Sequence, residues 1–297
     1  MNLNPEHLLT FLKVAELGSL SLAAEQLHLT QPAVSNQIKL LTGRVGEPLF
    51  ARHRYGVRLT PAGEQLLPHA RQVRRALEGT TRALQEWHGL QFGSLRLSAS
   101  LTIAASILPR VLSVYHQQHP QVQLQVQQGN TREVLQLLLD ARCEMALLEG
   151  HLPTLPADLE VETFRQDRLV LVIGQMHPLT NRSRLAVPEL HHLPVIWRER
   201  GSGTREVAEG ALQQARVTVQ TVLELAGTEA VKEAVMQGLG AAFLSELTVQ
   251  REVRSGELVQ LEVDLPGLVR DLRVVRPPLE VLSRAGKAFL EHLKSNE

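Results

Sequence analysis

Apolar residues recur along this chain with a helical period up to about residue 89 and as short runs beyond it. Leu8, Leu12 and Ala15, flanked by Leu9 and Phe11, form a first stripe. Asn4-Pro5 opens that helix as N-cap and first-turn proline, and Gly18 ends it. Ser19 or Ser21 caps a second, short helix that buries Ala23, Ala24 and Leu27. Thr30 caps a third, with Pro32 in its first turn, where a missing N–H leaves no bond unmade. In this helix Val34, Ile38, Leu41 and Val45 make a core-facing stripe. The stretch "EPLFARHRYGVRLTPAG" then reads as two brief strands around Tyr55-Gly56. Residues 60–89 return to a helical pattern in which Ala70, Val73, Leu77, Thr80, Leu84 and Trp87 alternate spacings of three and four, the pattern of a helical seam. Pro68 is predicted to kink or re-aim this helix.

After Gly89 strands alternate with helices. "SLRLSAS" predicts a strand, "TIAASILPRVLSVYHQQHP" a helix, "VQLQVQQG" a strand, "TREVLQLLLDAR" a helix and "EMALLEG" a strand. This order implies a mostly parallel sheet covered by helices. A second round starts near Arg168 with "RLVLVIG" and "PVIW" and a helix after "GSGTRE". It continues through "TVLELAG", the helix "EAVKEAVMQG" and "GAAFLS". "LVRDLRVVRPP" adds a strand and "LSRAGKAFLEHLK" a closing helix.

The chain of 297 residues is long enough for roughly two domains. No apolar run approaches the roughly 20 residues needed to cross a bilayer, and "MNLNPEHLLTFLK" does not read as a secretory signal, so a cytoplasmic protein away from membranes is expected. The single cysteine, Cys143, excludes an internal disulfide framework and is expected to be buried and inert. A formal net charge of zero hides an uneven distribution: residues 1–90 carry 10 Lys+Arg against 7 Asp+Glu, and the remainder 21 against 24. Lys39, Arg44, Arg52, Arg54 and Arg58 are opposed by Glu47 alone between residues 39 and 58. A clustered basic head fits a nucleic-acid-binding domain.

The third helix gives that anion a chemistry. At 100° per residue Pro32, Ser35, Asn36 and Lys39 point away from the apolar stripe, with Gln31 at the N-terminal tip. Gln and Asn can pair bidentately with adenine in the major groove, Ser adapts to several base edges, and Lys reaches guanine or phosphate. Three short helices followed by a basic hairpin, with Arg52 and Arg54 at its turn, describe a winged helix-turn-helix whose arginines hold phosphates.

"FLKVAELGSLSLAAEQLHLTQPAVSNQIKLL", followed by "GEPLFAR" and "LTPAG", resembles the DNA-binding domain of the LysR-type transcriptional regulators over almost all of residues 5–65. One departure is Thr42, where the family usually has glutamate. The resemblance implies Gln31, Pro32 and Ser35 at the groove, Asn36 nearby and Arg52 on the wing. It implies a winged helix-turn-helix over residues 1–60 and a linker and dimerisation helix over 61–89. Residues 90–297 become a two-lobed, periplasmic-binding-protein-like effector domain, with lobe one at about 90–163 and 267–297 and lobe two at about 164–266. "GNT", "LLEG" and "GSGTRE" look most like the branch that includes regulators of carbon fixation and of sulfur assimilation.

Ligands of such folds bind between lobes, where strands end and helices begin. Three polar turns fall there: Ser98–Thr102, Gly129–Thr131 and Gly201–Thr204. Ser100, Thr102, Thr131, Ser202 and Thr204 are therefore the expected effector-site residues, their hydroxyls and the helix N-termini favouring a small anion. Each hydroxyl could instead merely cap its helix. No metal, cofactor or catalytic set is expected: "GSGTRE" lacks the end of a P-loop, "QGLGAAF" follows a helix, and His191-His192 reads as a solvated turn. The expected protein is a ligand-controlled transcriptional regulator and not an enzyme. It would be a homodimer or homotetramer on a pseudo-palindromic double-stranded operator, contacting RNA polymerase if it activates. The competing readings are an architectural DNA-binding protein without effector control and an α/β enzyme.

Overall fold

The computed structural model describes residues 3–87 and 93–295. Two compact units are present, Met1–His88 with Leu139–Ala141, and Gly89–Leu138 with Arg142–Glu297. Among the described residues no helix is long and apolar enough to cross a membrane.

The first unit holds α1 (Pro5–Leu17), α2 (Leu20–Gln26), α3 (Gln31–Val45), β1 (Phe50–His53), β2 (Gly56–Leu59) and α4 (Pro61–Trp87). Its helices begin where capping chemistry predicts. The Asn4 side chain accepts from Glu6 N at 2.9 Å, Ser19 (not Ser21) from Leu22 N, and Thr30 from Ala33 N. Thr60 caps α4 by accepting from Gly63 N at 3.1 Å. Phe11, Leu12, Leu41 and Leu49 form one buried cluster with Ala70, and Val14, Ala23 and Val34 a second. Val45 departs from the expected stripe. It is the last helical residue and 39% exposed, because the core that Val34 and Leu41 face does not extend to the helix end. The wing, β1 paired antiparallel with β2, is fixed against the end of α1. Val57 N donates to Gly18 O at 2.8 Å, and a Cβ on Gly56 would lie 2.2 Å from that same oxygen, so only glycine fits there.

Helix α4 continues through Pro68. The expected seam divides in two. Ala70 is fully buried and Val73 half-buried in the core of this unit, whereas Leu77 and Leu84 are 40% and 54% exposed. The side chain of Trp87, the last seam position, lies outside the described residues, as does Gly89.

The second unit continues with β3 (Ser94–Ser100), α5 (Leu101–Ser106), α6 (Leu108–Gln118), β4 (Gln123–Gly129), α7 (Thr131–Leu139), β5 (Met145–Glu149) and β6 (Glu160–Gly174). Then come β7 (Arg184–Leu185), β8 (Pro194–Arg198), α8 (Gly203–Gln214), β9 (Gln220–Leu225), α9 (Thr228–Met236) and β10 (Ala242–Ser245). The chain closes with α10 (Glu246–Ser255), β11 (Leu258–Val263), β12 (Val269–Arg276) and α11 (Arg284–Ser295). The helix expected after β3 is two helices, broken at Ile107, because Pro109 in the first turn of α6 starts a new helix.

The main sheet runs β4-β3-β5-β12-β6-β11-β7, with β10 also on β6, and β8 and β9 pair separately. The expectation of a mostly parallel sheet holds for β4-β3-β5 and for β8-β9 but not at the centre. There β12 runs antiparallel to β5 and β6, and β10 and β11 run antiparallel to β6. A strand that leaves one lobe and a strand that returns to it necessarily point in opposite directions. The 15-residue β6 serves both lobes: Glu160 to Arg168 pair with β12, and Leu169 to Gly174 pair with β10 and β11. The passage between lobes thus falls at Arg168/Leu169 on the way out and Leu268/Val269 on the way back, where Leu169 N donates to Leu268 O at 2.8 Å. Lobe one packs Leu95, Leu97, Tyr115 and Phe289 around β3. In lobe two the far half of β6 is buried on both faces, with Leu169, Leu171 and Ile173 in one cluster and Val170 and Val172 in the other.

Candidate functional site

In the first unit, α3 turns its apolar residues inward, and that orientation alone fixes what faces out. Val34 and Leu41 are buried, while Gln31, Pro32, Asn36 and Lys39 are exposed and Ser35 is half-buried. Gln37 does not join this face, because its Oε1 accepts from Thr10 Oγ1 at 2.5 Å, tying α3 to α1. On the wing Arg52, Arg54 and Arg58 are exposed with His53. Tyr55 at the tip is 81% exposed, and the Arg54 guanidinium lies 5.4 Å from its ring centre. The first turn of α3 and the wing thus offer side chains of the types that pair with base edges and phosphates.

In the second unit the three polar turns converge. β3 delivers Ser100 and α5 delivers Thr102, α7 delivers Thr131, and α8 begins with Ser202 at its N-cap and Thr204 in its first turn. All five are at most 5% exposed. At their centre is Arg270 of β12, itself 5% exposed. Arg270 Nε donates to Asp167 Oδ2 at 2.9 Å and Nη2 lies 2.7 Å from the same oxygen. Nη1 donates to Thr204 Oγ1 at 3.0 Å and Nη2 to Thr102 Oγ1 at 3.4 Å. Glu149 Oε1, at the end of β5, stands 3.6 Å from Nη1, and its Oε2 accepts from Ser100 Oγ. Asp167 Oδ1 accepts from Ser245 Oγ at 2.8 Å. Charged and hydroxyl groups from both lobes therefore meet in one buried cluster, as burial of charge requires.

Thr131 plays a separate part. Its Oγ1 donates to Glu149 O at 3.0 Å and accepts from Gly203 N at 3.1 Å, joining the end of β5 to the start of α8. The backbones are close enough that a Cβ on Gly150 would lie 2.7 Å from Gly203 Cα. Of the hydroxyls expected at the effector site, Ser100 also caps its helix, accepting from Ile103 N at 3.4 Å, and Ser202 makes no side-chain capping bond. Asn130, not Thr131, caps α7 by accepting from Glu133 N at 3.0 Å, and the Thr131 hydroxyl is engaged by the two backbones it joins. A cavity of about 220 Å³ adjoins the cluster, bordered by Gly150, Gln166, Val207, Gly210, Arg270 and Arg273.

The hydroxyls are marked in the sequence by the helices they open, whereas the charges that join them are spread over three strands. Arg270 carried a usable signal: in "LVRDLRVVR" it shares the inward phase of a two-residue alternation with Leu272 and Val274, both buried. Glu149 likewise closes a strand that is otherwise wholly apolar. Asp167 had no such mark, since the near half of β6 is mixed and largely exposed. Cys143 is buried beside Ser98 Oγ at 3.0 Å, and burial pushes its thiol up to about 11.

Residues 5–64 match the description "Bacterial regulatory helix-turn-helix protein, lysR family", and residues 88–297 match "LysR substrate binding domain". The RuBisCO operon transcriptional regulator of Acidithiobacillus ferrooxidans is 36% identical over 283 residues, covering 95% of this chain and 91% of that protein. The HTH-type transcriptional activator CmpR of Synechocystis is 31% identical over 287 residues, 97% of this chain and 93% of that one. The regulatory domain of Synechocystis CcmR, solved in complex with 2-PG, superposes with a TM-score of 0.63 at 28% identity, over 68% of this chain and 96% of that chain.

Proposed function

Since this chain belongs to the LysR family of transcriptional regulators, we propose that its operator is read by α3 and the wing and that its response is set by a small anion bound between the lobes. The DNA half rests on one observation: Asn36 and Lys39 are exposed on the face of α3 turned away from buried Val34 and Leu41, and Gln31 is exposed at the N-terminal tip of the helix. Gln31, Pro32, Ser35 and Asn36 meet base edges, and Lys39, Arg52 and Arg54 hold phosphates. Residues 1–60 form the reading head and 61–89 the helix that joins two chains through exposed Leu77 and Leu84, so paired heads read a pseudo-palindromic duplex. A homodimer made this way can pair again into a homotetramer. The protein works in the cytoplasm, where its DNA is, and its chemistry is binding, not catalysis.

The effector half is supported by Arg270, Thr102 and Thr204, donors and hydroxyls from both lobes around one point, and by the 2-PG held in the CcmR domain. Relatives named for RuBisCO operons make carbon-fixation promoters the first operators to test. Binding to operator and to random duplex, each over a range of salt, tests the division of labour on the head. Gln31→Ala should reduce operator preference by about 1–3 kcal/mol and spare random DNA. Arg52→Ala should weaken both and reduce the salt slope by about one. Equal effects of the two changes on both duplexes would refute the assignment.

A further inference from the structure

We propose that Glu149 makes the cleft selective for an oxyanion that can share a proton with it, inorganic phosphate or a phosphate monoester, and against sulfate. The inference rests on the cleft being the effector site. Arg270 and Asp167 stand directly opposite each other on the two strands that pass between lobes, and two contacts onto one Asp167 oxygen anchor the guanidinium from behind. Its other edge meets Thr204 and Thr102, neutral hydroxyls from the helix starts of opposite lobes, and an anion between the lobes would take their place. The cluster, however, already holds two carboxylates against one guanidinium. Asp167 neutralises Arg270, and Glu149 is the surplus charge, with one oxygen 3.6 Å from the very nitrogen an anion would seek.

A fully ionised anion there would lie beside a carboxylate that is 3% exposed. Two like charges side by side in a buried site are strongly disfavoured unless a proton stands between them. The charged groups joined to Glu149 in this cluster are Arg270 from β12 and, behind it, Asp167 from β6; Arg273, farther along β12, donates to Gly150 O at 3.3 Å and is paired with Asp271. The hydroxyls brought to the cluster are those of Ser100, Thr102 and Thr204 and, on the far side of Asp167, Ser245. Inorganic phosphate near neutrality carries at least one P–OH, which donates to the Glu149 carboxylate with no proton exchanged with solvent. A phosphate monoester, whose second ionisation lies at about 6, arrives mostly as a dianion and takes one proton from solution, held between a phosphoryl oxygen and Glu149. Sulfate has no proton to offer at such pH and is not basic enough to take one. The same geometry therefore separates the two sources of phosphate by their proton count.

The test is calorimetry of the full chain at pH 7.5 with potassium phosphate, methyl phosphate and potassium sulfate as probes, on the wild type and on Glu149→Gln. Methyl phosphate is repeated in two buffers of different ionisation enthalpy, a wild-type measurement that stands even if the variant folds poorly. Wild type should prefer phosphate to sulfate by about a hundredfold, since like-charge contacts in a binding site cost several kcal/mol. Methyl phosphate should bind with uptake of close to one proton. Glu149→Gln, with an amide able to donate to sulfate, should bring the two anions within a few-fold by raising sulfate affinity. Equal binding of phosphate and sulfate by wild type, no proton uptake with methyl phosphate, or an unchanged preference in a folded Glu149→Gln would each overturn the proposal and leave the cleft an anion site. No binding of any of the three probes by wild type would instead overturn the anion reading of the cleft, and the proposal with it.

Discussion

Asp167→Ala removes a carboxylate that receives Arg270 through Nε at 2.9 Å and Nη2 at 2.7 Å, and Ser245 through Oγ at 2.8 Å. Hydrogen bonds to charged groups are worth about 1.5–3 kcal/mol each. They do not simply add here, because both Arg270 nitrogens share one oxygen. Breaking a buried ion pair by deleting one partner costs about 3–5 kcal/mol, most of it the penalty of the charge left behind. Glu149, 3.6 Å from Nη1, can turn towards the orphaned guanidinium and recover part of that loss, so the lower end, about 3 kcal/mol, is expected. Arg270→Met strands two carboxylates and should cost about 5 kcal/mol. With both changes together only Glu149 remains, still held by Ser100, and the double variant should be about 2–3 kcal/mol more stable than the sum of the single losses predicts. Urea unfolding measures this in a Trp87→Phe background, where Trp197, buried against Phe243, is the remaining tryptophan. A loss under about 1 kcal/mol for Asp167→Ala, or strict additivity of the pair, would show that the cluster does not act as one unit.

Two further expectations concern other parts of the molecule. Leu77→Glu places a carboxylate on the exposed half of the α4 seam and should shift sedimentation towards smaller species and weaken operator binding; a variant that stays fully assembled at micromolar concentration would mean that other surfaces hold the chains together. Cys143, with its thiol pushed up to about 11 by burial, should resist alkylation at pH 8 in the folded protein and react only in denaturant, so rapid modification under native conditions would contradict the buried position.

The parts of this fold that are legible in sequence are those fixed by neighbours along the chain. Asn4, Thr30 and Gly18 set helix ends through bonds to residues two to four positions away, and the wing turn at Tyr55-Gly56 follows from two short runs meeting. The far half of β6 stood out as "RLVLVIG" because a strand covered on both faces is apolar throughout. Its near half did not, because residues such as Glu160, Arg165 and Gln166 face solvent and break any period. Helix α10 is hidden in the sequence for the same reason: "ELTVQREVRS" buries Val249 among mostly polar neighbours. The hydroxyls of the cleft were legible because each opens a helix. The ion cluster was not, since Asp167 and Arg270 are 103 positions apart and only the crossing of two strands brings them together. Val45 erred in the other direction, because periodicity gives the face of a residue but not where the core ends.

The placement of β12 has a consequence for how the chain is made. Strand β5, all five residues buried, finds its antiparallel partner in β12, and β6 pairs with the same strand along its near half. As the protein leaves the ribosome, β3, β4 and β5 emerge with the edge of β5 uncovered, and its neighbour follows roughly 120 residues later, on the order of ten seconds at bacterial elongation rates. Throughout that interval the edge of "MALLE" is an open template for pairing with any other extended chain. Lobe two, contributed by the intervening residues, can organise most of its own core before lobe one closes. A nascent chain stalled before residue 269 should therefore expose a sticky, half-built lobe, and chaperone occupancy should fall only when β12 has emerged.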